Sequence, residues 1–334
     1  MLNNELKPIP LLTYNDDHHG KGIFYNDPHQ PYYKYIDNTS FAKFFISKDV
    51  TKSLPVRNPK DDFARRDVTR VYWLGHATCL IQFNDIFIIT DPIFSRYASP
   101  VPLTIKRKTP APCEIKDLPP ISVILISHDH YDHCDYNSLK EICKLNPDVK
   151  IFAPLGTSDM IKKWHFDNVI EFDWRQYVQY KDILILCFPA RHGSCRTGFD
   201  RDVKLWCSWH ISDEKQKIDV YFPGDTAVGP HFEELRNTLD KQIDLAMMPI
   251  GPIEPRGMMR TVHMDSKDAY EMNLIMCPKK VFPIHYGTFP LGLEPKKTDI
   301  EELKDAWKGE NLDILIVGDF VEWNGNEFVA INNI

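Results

Sequence analysis

The chain reads as an α+β protein, a sandwich of two mixed β-sheets with helices on the outside. Three observations predict this. Short apolar runs of strand length alternate with helix-length stretches in two successive halves. No internal repeat and no low-complexity linker interrupts them. Histidines and aspartates stand directly after several of the apolar runs, and the densest group follows residues 121–127.

With 334 residues, 43% apolar and 26% charged, the composition is that of an ordinary soluble globular protein with one large domain or two small ones. The pattern suggests an N-terminal extension, residues 1–66, packing on a main domain, residues 67–334. The extension is polar, aromatic and irregular, punctuated by Pro8, Pro10, Pro28, Pro31, Pro55 and Pro59. His18, His19 and His29 lie here without metal-ligand spacing or carboxylate company and read as surface histidines. Residues 41–46 suit a turn or two of amphipathic helix. Lys43, Lys48, Lys52, Arg57, Lys60, Arg65 and Arg66 give a positive bias that suits a solvated face or contact with anionic lipid.

From Val68 the pattern turns to strands. Residues 71–74 lead into Gly75-His76-Ala77-Thr78, and 79–83 with 86–89 form a hairpin around Asn84-Asp85. Asp91 follows, trailed by Pro92. Residues 121–127, introduced by Pro119-Pro120, are short, continuous and β-branched, as a buried strand is. Strands are expected again at 149–153, 183–188, 203–211, 218–222, 243–250, 281–284 and 312–317. Helices are expected at 137–145, 156–164, 231–239, 265–276 and 299–307, with Asp265 a candidate N-cap.

Composition also excludes function classes. A net charge of −7 argues against nucleic acid as partner. Eight cysteines without a Cys-x-x-Cys pair argue against zinc fingers and thioredoxin-type redox sites. The first twenty residues lack a basic region followed by an apolar core, so the thiols are expected to be reduced and the location cytoplasmic. No apolar run approaches the about 18 residues of a spanning helix, so any membrane contact is expected to be peripheral.

The chemistry centres on His128-Asp129-His130-Tyr131-Asp132-His133. In extended backbone alternate residues point the same way, so His128 and His130 can converge on one cation. Asp132 and His133 fall across the turn and can face a second. Imidazole and carboxylate suit zinc without any thiolate. His192, Asp225 and His285 each follow a further apolar run, and Gly224 allows a tight turn before Asp225. Two neighbouring cations need a shared anion, and Asp225 is the natural bridge. One metal would then take His128, His130, His192 and Asp225. The other would take Asp132, His133, Asp225 and His285. A hydroxide between two zinc ions about 3.5–4 Å apart is a strong nucleophile near neutral pH. Asp91 fits an orienting role toward a ligand histidine, the alternative being a turn carboxylate before proline.

His-x-His-x-Asp-His resembles the signature of the metallo-β-lactamase superfamily. Further blocks narrow the resemblance to phospholipases D that hydrolyse N-acyl-phosphatidylethanolamine. They are Trp73-Leu74-Gly75-His76-Ala77-Thr78, Thr90-Asp91-Pro92-Ile93-Phe94-Ser95, Ile126 to His133, and Gly224-Asp225-Thr226. Pro249-Ile250-Gly251, Glu254-Pro255-Arg256, His263-Met264-Asp265 and Ile284-His285-Tyr286-Gly287-Thr288-Phe289 extend it over roughly residues 68–300, in the family's order. The resemblance implies a di-zinc αββα metallo-β-lactamase fold, often a homodimer. It also implies release of N-acylethanolamine and phosphatidic acid from a membrane phospholipid. Tyr131 and His263 match substrate-contacting positions. The chain departs from many relatives at Gly193 and Gly257, where they carry bulky aromatics, which implies a wider pocket.

The expected activity is therefore a zinc-dependent phosphodiesterase of phospholipase D type, peripherally associated with membranes. Asp132, Asp225 and His263 are its candidate catalytic residues, with His263 the candidate proton donor to the leaving alkoxide. Lys106-Arg107-Lys108 is a candidate lipid-facing loop. Rival readings are a lactonase or cyclic phosphodiesterase of a soluble substrate, a nuclease on this fold, and a non-enzymatic metal- or lipid-binding module.

Overall fold

Apolar residues on both faces of a strand demand cover on both faces, and the central strands meet that condition. In β2 (Thr69–Trp73), Val71 and Trp73 join one buried cluster while Tyr72 joins another. In β5 (Val123–Leu125), Val123 and Leu125 take the first side and Ile124 the second. The first cluster is the core between two sheets. The second lies under helices α1 (Tyr136–Leu145) and α2 (Ser158–Lys163), through Leu139, Ile142 and Ile161.

The computed structural model describes residues 6–11, 18–26, 52–101, 104–293 and 299–332. One sheet has eight strands in the order β15 (Phe328–Ala330), β14 (Phe320–Trp323), β2, β3 (Cys79–Phe83), β4 (Ile86–Thr90), β5, β6 (Lys150–Pro154) and β7 (Val169–Phe172). The other has seven, in the order β1 (Ile9–Pro10), β8 (Gln176–Tyr180), β9 (Ile183–Phe188), β10 (Ser208–Asp213), β11 (Ile218–Phe222), β12 (Leu245–Pro249) and β13 (Lys280–Ile284). Helices α3 (His231–Thr238), α5 (Ser266–Met276) and α6 (Asp299–Ala306) share the large core with the seven-stranded sheet, through Phe232, Leu235, Met272, Met276 and Leu303. Helix α4 (Arg256–Met259) is a single turn. The expected sandwich of two mixed sheets with outer helices is the observed one.

Strand direction places the site. β2 and β4 are both antiparallel to β3, and β5 is parallel to β4, so β2, β4 and β5 end at one edge of their sheet. Likewise β9 and β11 flank the antiparallel β10, and β12 and β13 run parallel to β11. The residues just past these C-terminal ends are His76, Asp91, the 128–133 cluster, His192, Asp225 and His285.

Several element expectations need correction. Residues 312–317 form no strand: Leu312 and Val317 make only isolated bridges, to Val281 and Val56. Residues 204–207 are buried but cross between sheets, the amides of Leu205 and Cys207 bonding the Leu155 and Ser127 carbonyls. The strand there begins only at Ser208. β7, β8, β14 and β15 were not expected, because all are short and the first three carry polar residues. Helix α5 starts as expected, with Asp265 in a capping box with Asp268. The candidate helix at 41–46 lies outside the described residues.

His18 and His19 do have carboxylate company. Their Nε2 atoms each lie 2.7 Å from an oxygen of Asp173, which sits between β7 and β8. These are N–H to carboxylate contacts, and a hydrogen bond accounts for each. In the basic loop, Lys106 is exposed but Arg107 turns inward, donating to the Ser95 and Ile93 carbonyls with its guanidinium over the Phe289 ring. Leu103 lies outside the described residues. All eight cysteines are free thiols. Among the described residues no helix is long and apolar enough to cross a membrane.

Candidate metal centre

Seven of the predicted residues meet in one buried cluster. On one side His128 Nε2 and His192 Nε2 lie 2.8 and 3.3 Å from His130 Nδ1. On the other, His133 Nε2 is 3.1 Å from His285 Nε2 and 3.3 Å from Asp132 Oδ2. Asp225 stands between the groups: Oδ2 is 3.2 Å from His133 Nε2, 3.8 Å from His192 Nε2 and 3.9 Å from His128 Nε2. Its Oδ1 is 2.9 Å from His285 Nε2.

The far side of each ring decides what these contacts mean. His192 Nδ1 faces the Val262 carbonyl and His285 Nδ1 the Gly251 carbonyl, both at 2.9 Å. His133 Nδ1 meets Asp91 Oδ2 at 2.7 Å. His128 Nδ1 meets Ser127 Oγ at 2.9 Å, and that hydroxyl donates to Asp91. Carbonyls and carboxylates only accept, so each Nδ1 carries a proton, and each ring, once its inward nitrogen is deprotonated, turns a lone pair inward. Lone pairs facing each other repel unless a cation lies between them. Ligand nitrogens about 2.0–2.1 Å from a tetrahedral metal stand about 3.3 Å apart, close to the spacings here. The buried Asp225 Oδ1 faces the inward nitrogen of His285, so it is another donor atom turned toward the same point. These groups form His/Asp clusters with the donor set for a divalent metal.

Electrostatics divides the rings. Burial, reinforced by the neighbouring rings, holds His128 well below the ordinary histidine value. Burial also lowers His130, and brings His192 down to about 4 despite Asp225. All three are neutral at pH 7, as a ligand must be. Burial pulls on His133 and His285 too, but Asp225 and Asp132 outweigh it, raising His133 well above its ordinary value and His285 to about 9. Both carboxylates are in turn held well below the usual range by those rings, against the pull of burial.

Local backbone delivers these side chains. His285, Asp91 and His76 have φ of 64°, 35° and 54°, left-handed values that cost a non-glycine residue about 1–3 kcal/mol each. Gly224, at φ 61°, is required twice over, since a Cβ there would stand 2.5 Å from the Ser127 Cβ.

His263 joins the cluster, its Nδ1 3.8 Å from Asp225 Oδ2 and without a hydrogen bond. Burial holds it well below the ordinary histidine value, so the ring is neutral at pH 7. Tyr131 is partly exposed beside the cluster, with the Arg196 guanidinium 4.0 Å over its ring. Asp91 holds two rings, one directly and one through Ser127. Three participants carried no assigned role in the sequence. His76 Nε2 lies 2.9 Å from Asp132 Oδ2. Ser127 is the relay just described. Asp129 turns away from the centre to pair with Lys204 at 2.9 Å. His76 could have been found, because it comes shortly after an apolar strand, with only Leu74 and Gly75 between them. Gly193 is not an open wall, since a Cβ there would meet Asp202 Oδ1 at 2.9 Å, whereas nothing lies within 4 Å of one at Gly257.

This fold and this site define a metal-dependent hydrolase of the metallo-β-lactamase fold. Residues 87–286 match the family described as the beta-lactamase superfamily domain. Solved structures of similar fold include Igni18, a metallo hydrolase from Ignicoccus hospitalis (TM-score 0.58, 18% identity, covering 77% of this chain and 99% of that one). A possible metal-dependent hydrolase from Veillonella parvula is another (TM-score 0.62, 15% identity, 76% and 98%). Within the superfamily the chain belongs to the N-acyl-phosphatidylethanolamine-hydrolysing phospholipase D family. It is 35% identical over 285 residues to N-acyl-phosphatidylethanolamine-hydrolyzing phospholipase D 1 of Caenorhabditis elegans, covering 78% of this chain and 76% of that relative. It is 30% identical over 246 residues to the mitochondrial N-acyl-phosphatidylethanolamine-hydrolyzing phospholipase D of Saccharomyces cerevisiae, covering 71% of this chain and 52% of that one.

Proposed function

We propose that this protein is a two-zinc phosphodiesterase that cleaves N-acyl-phosphatidylethanolamine to N-acylethanolamine and phosphatidic acid at a membrane surface. The observation that carries the reading is the double donor set divided by Asp225, in a chain of this family. His128 and His192 through Nε2, His130 through Nδ1 and Asp225 would hold one ion. Asp132, His133, His285 and Asp225 would hold the other. When bound, such a pair supplies a water acidic enough to ionise near neutral pH and positive charge opposite the phosphoryl oxygens.

The chain's own residues do the rest. Asp91 and Ser127 keep His133 and His128 in the tautomer with Nε2 inward. His76 fixes the rotation of the Asp132 carboxylate. His263 is neutral with a free Nδ1, so it can accept a proton from water and return it to the leaving alkoxide. This keeps the expected delivery of a proton to the leaving alkoxide and names water as the source of that proton. Tyr131 beside Arg196 would border the substrate. The extension at residues 1–66 would pack on the catalytic domain, and the protein would work in the cytoplasm, peripherally on membranes, as a monomer or homodimer.

The deciding experiment offers the zinc-loaded protein vesicles containing N-acyl-phosphatidylethanolamine and, separately, soluble lactones and cyclic phosphodiesters. Mass spectrometry should find N-acylethanolamine and phosphatidic acid in equal amounts. Turnover of a soluble substrate with the phospholipid untouched would replace this reading with the soluble-substrate one.

A further inference from the structure

The family match begins at residue 87, yet a segment far upstream reaches the metal centre. Residues 18–26 form a small hairpin, with the Gly20 amide donating to the Ile23 carbonyl and the Tyr25 amide to the His18 carbonyl. His18 and His19 tie its base to Asp173, and the His18 ring stacks on Trp174 at 4.2 Å. The Phe24 amide donates to the Asp202 carbonyl at 2.7 Å, in the loop that follows His192. The hairpin is thereby fixed at both ends.

Its last residue is Asn26. The side-chain Nδ2 donates to the His192 carbonyl at 2.9 Å, and Oδ1 accepts the His192 amide at 3.1 Å. Oδ1 also accepts from the indole of the buried Trp206 at 3.0 Å. A carboxamide is the one uncharged side chain type that can donate and accept side by side in this way. His192 lies beyond the end of β9, where among the described residues no neighbouring strand supplies those two bonds. Its ring is held from the opposite side by the Val262 carbonyl. Asn26 therefore sets the backbone and Val262 the ring of a single residue of the centre.

We propose that Asn26 is a positioning residue for His192, so that the N-terminal segment is a working part of the metal centre. The inference rests on the reading of His192 as a metal ligand. Loss of Asn26 leaves the His192 peptide groups without a partner among the described residues and lets the ring swing from the converged position. Only the ion held by His128, His130 and His192 should feel it. Removing a group that orients a ligand commonly costs about 10–100-fold in metal affinity.

The test uses the full chain, stripped of metal and titrated with Zn²⁺ against a chromophoric chelator, then loaded with Co²⁺ for its d–d spectrum. Asn26→Ala should weaken one of two binding steps by about 10–100-fold, shift part of the Co²⁺ spectrum and leave near-UV circular dichroism unchanged. Asn26→Asp keeps both accepted bonds and loses the donated one, so it should show the same one-site loss if the alanine variant fails to fold. Affinities and spectra equal to wild type in both variants would overturn the proposal, as would an equal loss at both sites. A wild-type protein inert toward phospholipid, whose Asn26→Ala variant still loses one site, would overturn the substrate reading and support this one.

Discussion

His133 and His285 lie between two buried carboxylates, and that placement governs how the metal-free site answers pH. Their raised values mean that they hold protons at neutral pH in the folded protein, His285 up to about 9. A group whose value rises on folding stabilises the fold fully below its unfolded value, here 6.5, and loses that contribution as pH climbs through the folded value. The metal-free protein should therefore lose stability from about pH 6.5 to about 9, read as a falling Tm across that window. A flat Tm would mean that both rings are already neutral. Metal must displace the same protons, so Zn²⁺ affinity should rise about tenfold per pH unit for each proton displaced, levelling near pH 9. Asp225 and Asp91 separate bridging from orienting. Asp225→Asn should abolish nearly all turnover and one equivalent of metal while the fold persists, as elemental analysis and circular dichroism can record. Asp91→Asn should keep both ions at saturation but weaken affinity by about 10–100-fold. Wild-type turnover with full metal content in Asp225→Asn would remove it as the bridge.

The turns between elements carry the next layer of constraint. Gly224 combines a left-handed backbone with contact against Ser127, whose hydroxyl links Asp91 to His128. Gly198 also has a left-handed backbone, φ 83°, but nothing within 4 Å of a would-be Cβ. Alanine at either position should lower Tm, each by about 1 kcal/mol or more of backbone strain. Gly224→Ala alone should also weaken Zn²⁺ binding, because it pushes Ser127 out of line. Equal Zn²⁺ affinity in the two variants would show that the Ser127 relay tolerates displacement. The missing aromatics divide in the same way. Gly257→Trp has room and should narrow the range of N-acyl chains accepted, measured as kcat/KM ratios across chain lengths. Gly193→Trp must first displace Asp202, and so should cost stability before it changes selectivity.

Across the whole molecule, the cluster of buried donors makes metal a structural partner as well as a chemical one. Ligand at a hundred times its dissociation constant stabilises by about 2.7 kcal/mol per site, so chelation should lower Tm by several degrees and re-addition of Zn²⁺ should restore it. Unchanged melting after verified metal removal would mean that the cluster is held by its own hydrogen bonds. The basic loop behaves as two parts. Lys106→Ala should reduce salt-sensitive vesicle binding, whereas Arg107→Ala should destabilise the loop that its guanidinium holds to the Ser95 and Ile93 carbonyls. Vesicle binding unchanged in Lys106→Ala would place the docking surface elsewhere.

By itself the sequence determined the sandwich, because β-branched runs apolar on both faces can be satisfied only between two covers. It also determined the identity of the clustered residues, since each of His128, His130, Asp132, His133, His192, Asp225 and His285 follows an apolar run that could be read as a strand. The tertiary structure decided what no local pattern encodes. Which strand ends share an edge depends on strand order and direction, and these bring residues as distant as His76 and His285 into ring contact. Which way a ring faces depends on acceptors from remote loops, the Val262 and Gly251 carbonyls and Asp91. His19 is exposed as expected, but His18 is buried, and it looked like a surface residue because its partner Asp173 lies 155 positions away along the chain. The short strands β7, β8, β14 and β15 were illegible for the same reason. Their hydrogen bonds come from neighbours that only the folded chain supplies.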